Sequence, residues 1–131
     1  MTGALKVRGL NHVTLAVGDL DRAVEFYVDG LGLAPRKRWA KGAYLETGSL
    51  WIALSLDPLA RREPHPDYTH VAFDVAQADF TGLVQQLLAA GARTWKDNRP
   101  EGDSFYFLDP DGHRLEIHVG SLDTRLKAME Q

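Results

Sequence analysis

Cysteine is absent from the chain, which rules out disulfides, thiolate metal sites and a cysteine nucleophile. Any soft metal ligand must come from the five histidines. Long hydrophobic runs are missing as well. No stretch approaches the ~20 apolar residues of a membrane span, and the opening MTGALKVRGLNHVTLAV lacks the apolar core of a signal peptide. A cytoplasmic protein with no membrane partner is expected. Nor is there an excess of positive charge: 15 basic against 18 acidic residues leave a net charge of -3. No basic field is available for nucleic acid, although scattered Arg and Lys remain free to serve a small anion.

What the chain has is an internal repeat, and this fixes the architecture. The first copy reads NHVTLAV at 11–17, then a helical stretch over about 20–30, then Gly30 and Gly32. The second reads THVAFDV at 69–75, a helical stretch over about 78–90, then Gly91. His12 lies 20 residues before Gly32 and His70 lies 21 before Gly91. Each copy opens with the two-residue alternation of a half-buried strand, His12, Thr14 and Ala16 on one face and Val13, Leu15 and Val17 on the other. Asp19 is placed to cap the first helix, whose Leu20, Ala23, Val24 and Tyr27 recur at helical spacing.

Short strand-like runs follow each helix, at 34–40, 43–47 and 51–56 and again at 92–96, 104–108 and 113–119. The turn Asp109-Pro110-Asp111-Gly112 joins the last two as a hairpin signal. The expected class is α+β: one domain over 1–131, built as two paired βαβββ modules, about 8–57 and 67–120. A polar linker covers about 58–66 and a C-terminal tail 121–131. One such module leaves a sheet face bare, so two are expected to pair their sheets into a cupped, barrel-like surface.

The repeat makes His12 and His70 equivalent, and a pseudo-twofold arrangement is expected to bring both to the concave face. On the last strand Arg114, Glu116 and His118 share a face, which offers Glu116 as a third ligand. Two imidazoles and a carboxylate, with positions left for substrate, suit a divalent Lewis acid. A lone strand histidine is usually only hydrogen-bonded and half-buried. His118 is read as a supporting or structural group, His113 and His65 as turn and linker residues, and Arg61-Arg62 as solvated surface.

The segments GLNHVTLAVGDLDRAVEFYVDGLGL and DPDGHRLEIHVG resemble the vicinal oxygen chelate superfamily of glyoxalases, extradiol dioxygenases, epimerases and antibiotic-resistance proteins. Fold alone does not choose among such reactions. GAYLETGSLWIALS, DYTHVAF and WKDNRPEGDSFYFLDPDGHRLE, with Arg125 downstream, resemble the manganese-dependent fosfomycin glutathione transferases. The likeness runs from about Leu10 to Arg125. It implies His12, His70 and Glu116 as ligands of Mn²⁺ or another divalent ion. Thr14, Lys96, Ser104, Tyr106 and Arg125 are implied around the phosphonate and oxirane oxygen, Trp51 and Tyr68 along the substrate cavity, and Tyr44 beside the incoming thiol. Thr14 and Tyr44 are thus the expected catalytic pair, and fosfomycin and glutathione the expected partners.

A K⁺-binding loop is implied over Asn98, Glu101, Gly102 and Ser104. Pro100 stands where the resemblance implies a serine, and removes an N–H and a hydroxyl there. The resemblance further implies a homodimer with exchanged modules, in which His12 meets His70 and Glu116 of the other copy. Other readings remain open on the sequence: another thiol as nucleophile, a fosfomycin hydrolase, a non-catalytic drug-binding protein, or a glyoxalase-type isomerase. In the hydrolases the base lies where this chain has Gly42, and the isomerases want a fourth ligand where it has Ala53.

Overall fold

The computed structural model describes residues 5–98 and 102–130. The first module runs β1 (His12–Val17), α1 (Leu20–Glu25) continued by a π-helical stretch (Phe26–Gly30), β2 (Ala34–Trp39), β3 (Gly42–Thr47) and β4 (Leu50–Leu56). The second runs β5 (Val71–Asp74), α2 (Gln77–Ala89), β6 (Arg93–Lys96), β7 (Ser104–Leu108) and β8 (Arg114–His118). Each forms one four-stranded mixed sheet, ordered β1-β4-β3-β2 and β5-β8-β7-β6. The expected α+β class with paired βαβββ modules is what the chain adopts, and among the described residues no ladder joins the two sheets.

Local chemistry accounts for the elements. Asp19 caps α1, its side chain accepting from the Arg22 N–H at 3.0 Å. Gly32 and Gly91 follow the two helical stretches with φ of 83° and 91°, the left-handed conformation that glycine enters at least cost. Strand alternation sends Leu15, Val17, Leu45, Ile52, Leu54, Phe107, Leu115 and Ile117 to the helix side, where all are buried. The opposite, open face carries His12, Thr14, Tyr44 and Trp51 on the first sheet and Ser104, Tyr106 and Glu116 on the second.

One core spans both modules. Phe26 packs near Phe107, ring centroids 6.2 Å apart, and Leu87 of α2 is fully buried in the same cluster. Burying such a side chain stabilises by roughly 1.5–3 kcal/mol. α2 approaches so closely that a Cβ on Gly30 would stand 2.9 Å from that of Ala90. Gln86 Nε2 seals the contact, donating to the carbonyls of Asp29 and Gly30 at 2.9 and 3.1 Å.

Two expectations need correcting. The 121–131 tail contains a helix, α3 (Leu122–Met129), which Ser121 and Thr124 start as a reciprocal capping pair. His113 is not a plain turn residue: it is buried, its Nε2–H donates to the Ala16 carbonyl at 2.8 Å, and Arg61 lies 3.2 Å from its Nδ1. Arg61 is accordingly half-buried rather than a free surface cation. No helix among the described residues is long and apolar enough to cross a membrane.

Candidate metal and anion site

On the second sheet, β5 and β8 pair in parallel with Ala72 opposite Glu116, while β7 sets Tyr106 against Glu116 and Ser104 against His118. His70 immediately precedes β5, two residues before Ala72, so its ring reaches the same open face. His70 Nε2 lies 2.9 Å from Glu116 Oε1. The other ring nitrogen, Nδ1, lies 2.9 Å from the Tyr68 carbonyl, which only accepts, so Nδ1 carries the proton. With Nδ1 committed to that carbonyl, Nε2 faces the carboxylate oxygen, and either a proton or a metal ion between the two bridges them. Two adjacent ligands, each ~2.1 Å from a divalent ion, stand about 3 Å apart, so the pair fits a metal.

The remaining carboxylate oxygen is held from behind. Ser104 Oγ donates to Glu116 Oε2 at 2.7 Å. With that proton committed, His118 Nδ1–H donates to Ser104 Oγ at 2.6 Å. Glu116 is only 5% exposed, so this chain fixes the direction of its charge. Ser104, expected among the phosphonate donors, has its hydroxyl turned to the carboxylate instead.

Beside the pair lies a cage that sequence reading did not assemble. The register of β6 shifts between Thr94 and Lys96, and this bulge turns both Trp95 and Lys96 to the open face. Trp95 meets Tyr68, His70 and Tyr106 edge-on, with centroids 5.7, 5.3 and 5.2 Å away. Its indole N–H donates to the Leu115 carbonyl at 3.0 Å, and the Arg114 guanidinium lies over its ring at 5.1 Å. Lys96 Nζ sits 4.6 and 4.9 Å from the centroids of Tyr68 and Tyr106 and bonds the Tyr68 hydroxyl.

The bond to Tyr68 holds the Lys96 pKa above its ordinary value, so the ammonium stays charged. Burial, then the Glu116 charge, raises the Tyr106 phenol, which stays a neutral donor. A fixed cation flanked by phenol donors suits an anion with several oxygens. Asn98 Nδ2 lies 3.4 Å from the Gly102 carbonyl. Gly102 has φ of 72°, and a Cβ there would stand 2.1 Å from the Val119 carbonyl oxygen, so only glycine fits. Glu101 and Pro100 lie outside the described residues. Arg125 is on α3, half-buried.

The rest of the expected site is on the first sheet. His12 stacks on Trp51, centroids 4.7 Å apart and planes within 8°, and its Nδ1 lies 2.7 Å from Asn11 Oδ1. Thr14 is exposed on the same face, opposite Ala53 in register. Tyr44, 42% exposed, stands edge-on between Trp39 and Trp51, at 4.8 and 6.2 Å. The two histidines therefore do not meet within one chain. Among the described residues no three His, Asp or Glu side chains gather into a metal-holding group. Equivalent positions in the repeat carry Glu116 opposite Ala72 and Ala53 opposite Thr14, so the first module offers no matching carboxylate.

Two layered sheets of this topology, an imidazole and a carboxylate facing a common point, and a duplicated module define the class. The sequence profile of the Glyoxalase/Bleomycin resistance protein/Dioxygenase superfamily matches residues 9–117, and the chain belongs to that superfamily. Within it the similarity narrows to thiol transferases. The chain is 53% identical over 127 residues to glutathione transferase FosA of Serratia marcescens, covering 95% of this chain and 90% of that protein. It is 40% identical over 130 residues to metallothiol transferase FosB of Shouchella clausii, covering 95% and 89%. Among solved structures, the fosfomycin resistance protein FosX of Listeria monocytogenes, complexed with Mn(II) and sulfate ion, superposes with a TM-score of 0.80. That match has 29% identity and covers 94% of this chain and 98% of that one.

Proposed function

We propose that this protein confers fosfomycin resistance by adding the thiol of glutathione to the drug's epoxide. The observation that carries the reading is the meeting, on one sheet face, of the His70–Glu116 pair with the caged Lys96 ammonium. A histidine–carboxylate pair able to hold a metal, next to a fixed cation, suits a small phosphonate that also offers an oxygen to that metal. The 53% identity to a glutathione transferase supports the choice of reaction and nucleophile. Manganese is supported by the solved relatives that hold it.

In this reading His12, His70 and Glu116 hold the divalent ion, with His12 coming from the second copy of a homodimer whose modules are exchanged. Bound there, the ion supplies Lewis-acid stabilisation of the charge that develops on the epoxide oxygen. Lys96 and Arg125 bind the phosphonate, Tyr106 donates to it, and Ser104 keeps Glu116 aimed. Trp51 and Tyr68 wall the cavity. Thr14 donates to the epoxide oxygen, and Tyr44 hydrogen-bonds the sulfur and favours its thiolate. The thiolate attacks the unsubstituted epoxide carbon, the C–S bond forms as C–O breaks, and the freed oxygen takes a proton from solvent. Asn98, Glu101, Gly102 and Ser104 make the K⁺ loop of this reading, with Pro100 contributing only a carbonyl.

Hydrolysis is disfavoured by a contact. A Cβ on Gly42 would stand 2.5 Å from the Trp39 ring and 2.9 Å from the Leu54 carbonyl oxygen, so Trp39 fills the space a carboxylate base would need. The deciding experiment follows the phosphorus NMR signal of fosfomycin mixed with metal-free protein, glutathione and Mn²⁺, with and without K⁺. A thiol adduct that requires both metal and glutathione is the expected result. A diol formed without thiol makes the protein a hydrolase, and an unchanged signal returns it to the drug-binding or isomerase readings.

A further inference from the structure

The two modules share a feature beyond the paired histidines. In β6 the register shifts between Thr94 and Lys96, after which Lys96 pairs with Tyr106. In β2 it shifts between Pro35 and Lys37, after which Lys37 pairs with Tyr44. Each sheet therefore sets a lysine opposite a tyrosine on its open face, directly after a bulge. Residues paired across an antiparallel ladder project from the same side, so Lys37 shares its face with Tyr44, Trp39 and Trp51.

The two lysines differ in what they hold. Lys96 is engaged by Tyr68 and lies over two rings. Lys37 is exposed, and among the described residues its side chain makes no ion pair or hydrogen bond, although those of both its neighbours do. Arg36 holds Glu46 at 2.7 Å, and Arg38 reaches over the helix side to Asp21. Of three consecutive cations the chain's own carboxylates neutralise two. The third is left beside the tyrosine read as the sulfur's partner.

We propose that Lys37 binds a carboxylate of the thiol cosubstrate and so sets which thiol the protein accepts. The inference rests on the thiol-transfer reading and adds the determinant that reading lacks. Glutathione carries two carboxylates on a flexible backbone, one on either side of its thiol. An ammonium is a compact charge with three donors on a four-carbon stem, suited to catch such an end without a fixed angle. A thiol without a carboxylate gains nothing from it.

The test uses Mn²⁺-loaded full-length protein and S-methylglutathione, which binds but cannot react, titrated by calorimetry. Lys37→Ala is expected to raise the dissociation constant about tenfold, the loss of one charge-assisted hydrogen bond, and Lys37→Arg to recover most of it. The diethyl ester of S-methylglutathione is expected to bind wild type and Lys37→Ala alike. In turnover the KM for glutathione rises in parallel while the KM for fosfomycin does not move. Lys37 lies exposed on an edge strand, and circular dichroism with thermal unfolding checks that the variant folds. Equal affinity and equal glutathione KM in wild type and Lys37→Ala overturn the inference alone. No thiol adduct from wild type with any thiol overturns the transferase reading and this inference with it.

Discussion

Tyr27 of the first module donates a 2.6 Å hydrogen bond to Oδ2 of Asp109 in the second, and both side chains are buried. Asp109 Oδ1 accepts from the backbone N–H groups of Asp111 and His113 at 2.9 Å each. Asp111 in turn accepts from the Gly18 N–H at 2.8 Å, with Arg22 3.5 Å away. The turn between β7 and β8 is thus the polar lock between the two halves. Tyr27→Phe leaves Asp109 Oδ2 buried without its donor, which costs about 1–3 kcal/mol. Urea unfolding measures it, and a loss below a few tenths of a kcal/mol contradicts this account.

The same carboxylate gives a pH dependence. Burial, more than any other influence, raises the Asp109 pKa above its ordinary 3.8. The folded chain therefore keeps a proton there at pH values where the unfolded chain has released it. That contribution is complete below 3.8 and is lost as pH rises through the folded value. The difference in unfolding free energy between wild type and Asp109→Asn should move against the wild type over this window. A difference that stays flat with pH removes the prediction.

The separation of His12 from His70 and Glu116 is tested by mixing. His12→Ala and Glu116→Ala are each expected to lose metal binding, read by Mn²⁺ electron paramagnetic resonance, and fosfomycin protection with it. If copies share sites, a heterodimer of the two variants rebuilds one intact site in two, and a refolded equimolar mixture regains about a quarter of wild-type activity. A mixture as inactive as its parts means that each site belongs to one chain.

Gly42→Ala places a methyl group into the Trp39 ring and the Leu54 carbonyl. Overpacking of this kind costs about 1–3 kcal/mol. The displaced indole should change the tryptophan fluorescence and weaken glutathione binding together. A variant that unfolds at the wild-type temperature with unchanged fluorescence shows that Trp39 does not rest on Gly42.

The fold was largely legible because alternation and helical spacing report burial directly: the strand placing Glu116 opposite Ala72 is visible in RLEIH. The capped start of α3 is also written in the chain, as Ser121 followed three residues later by Thr124 within the helix's first turn. Other features were not readable. Strict alternation would turn Trp95 away from Lys96, and only the bulge brings them to one face. A hairpin sequence such as DPDGH suggests solvent, and nothing local shows that the first module will cover Asp109, Asp111 and His113. His12 illustrates a different limit, since the repeat establishes equivalence with His70 but not whether equivalent positions in one chain come together.

The bulges have one more effect. β2 and β6 are outermost strands, and an outermost strand is a template on which further chains can add indefinitely. β2 meets that risk with Pro35, three cations in a row and a broken ladder, and β6 with its own break and a length of four residues. The same residues that shape the open faces thus also make these two flanks poor templates for a further strand.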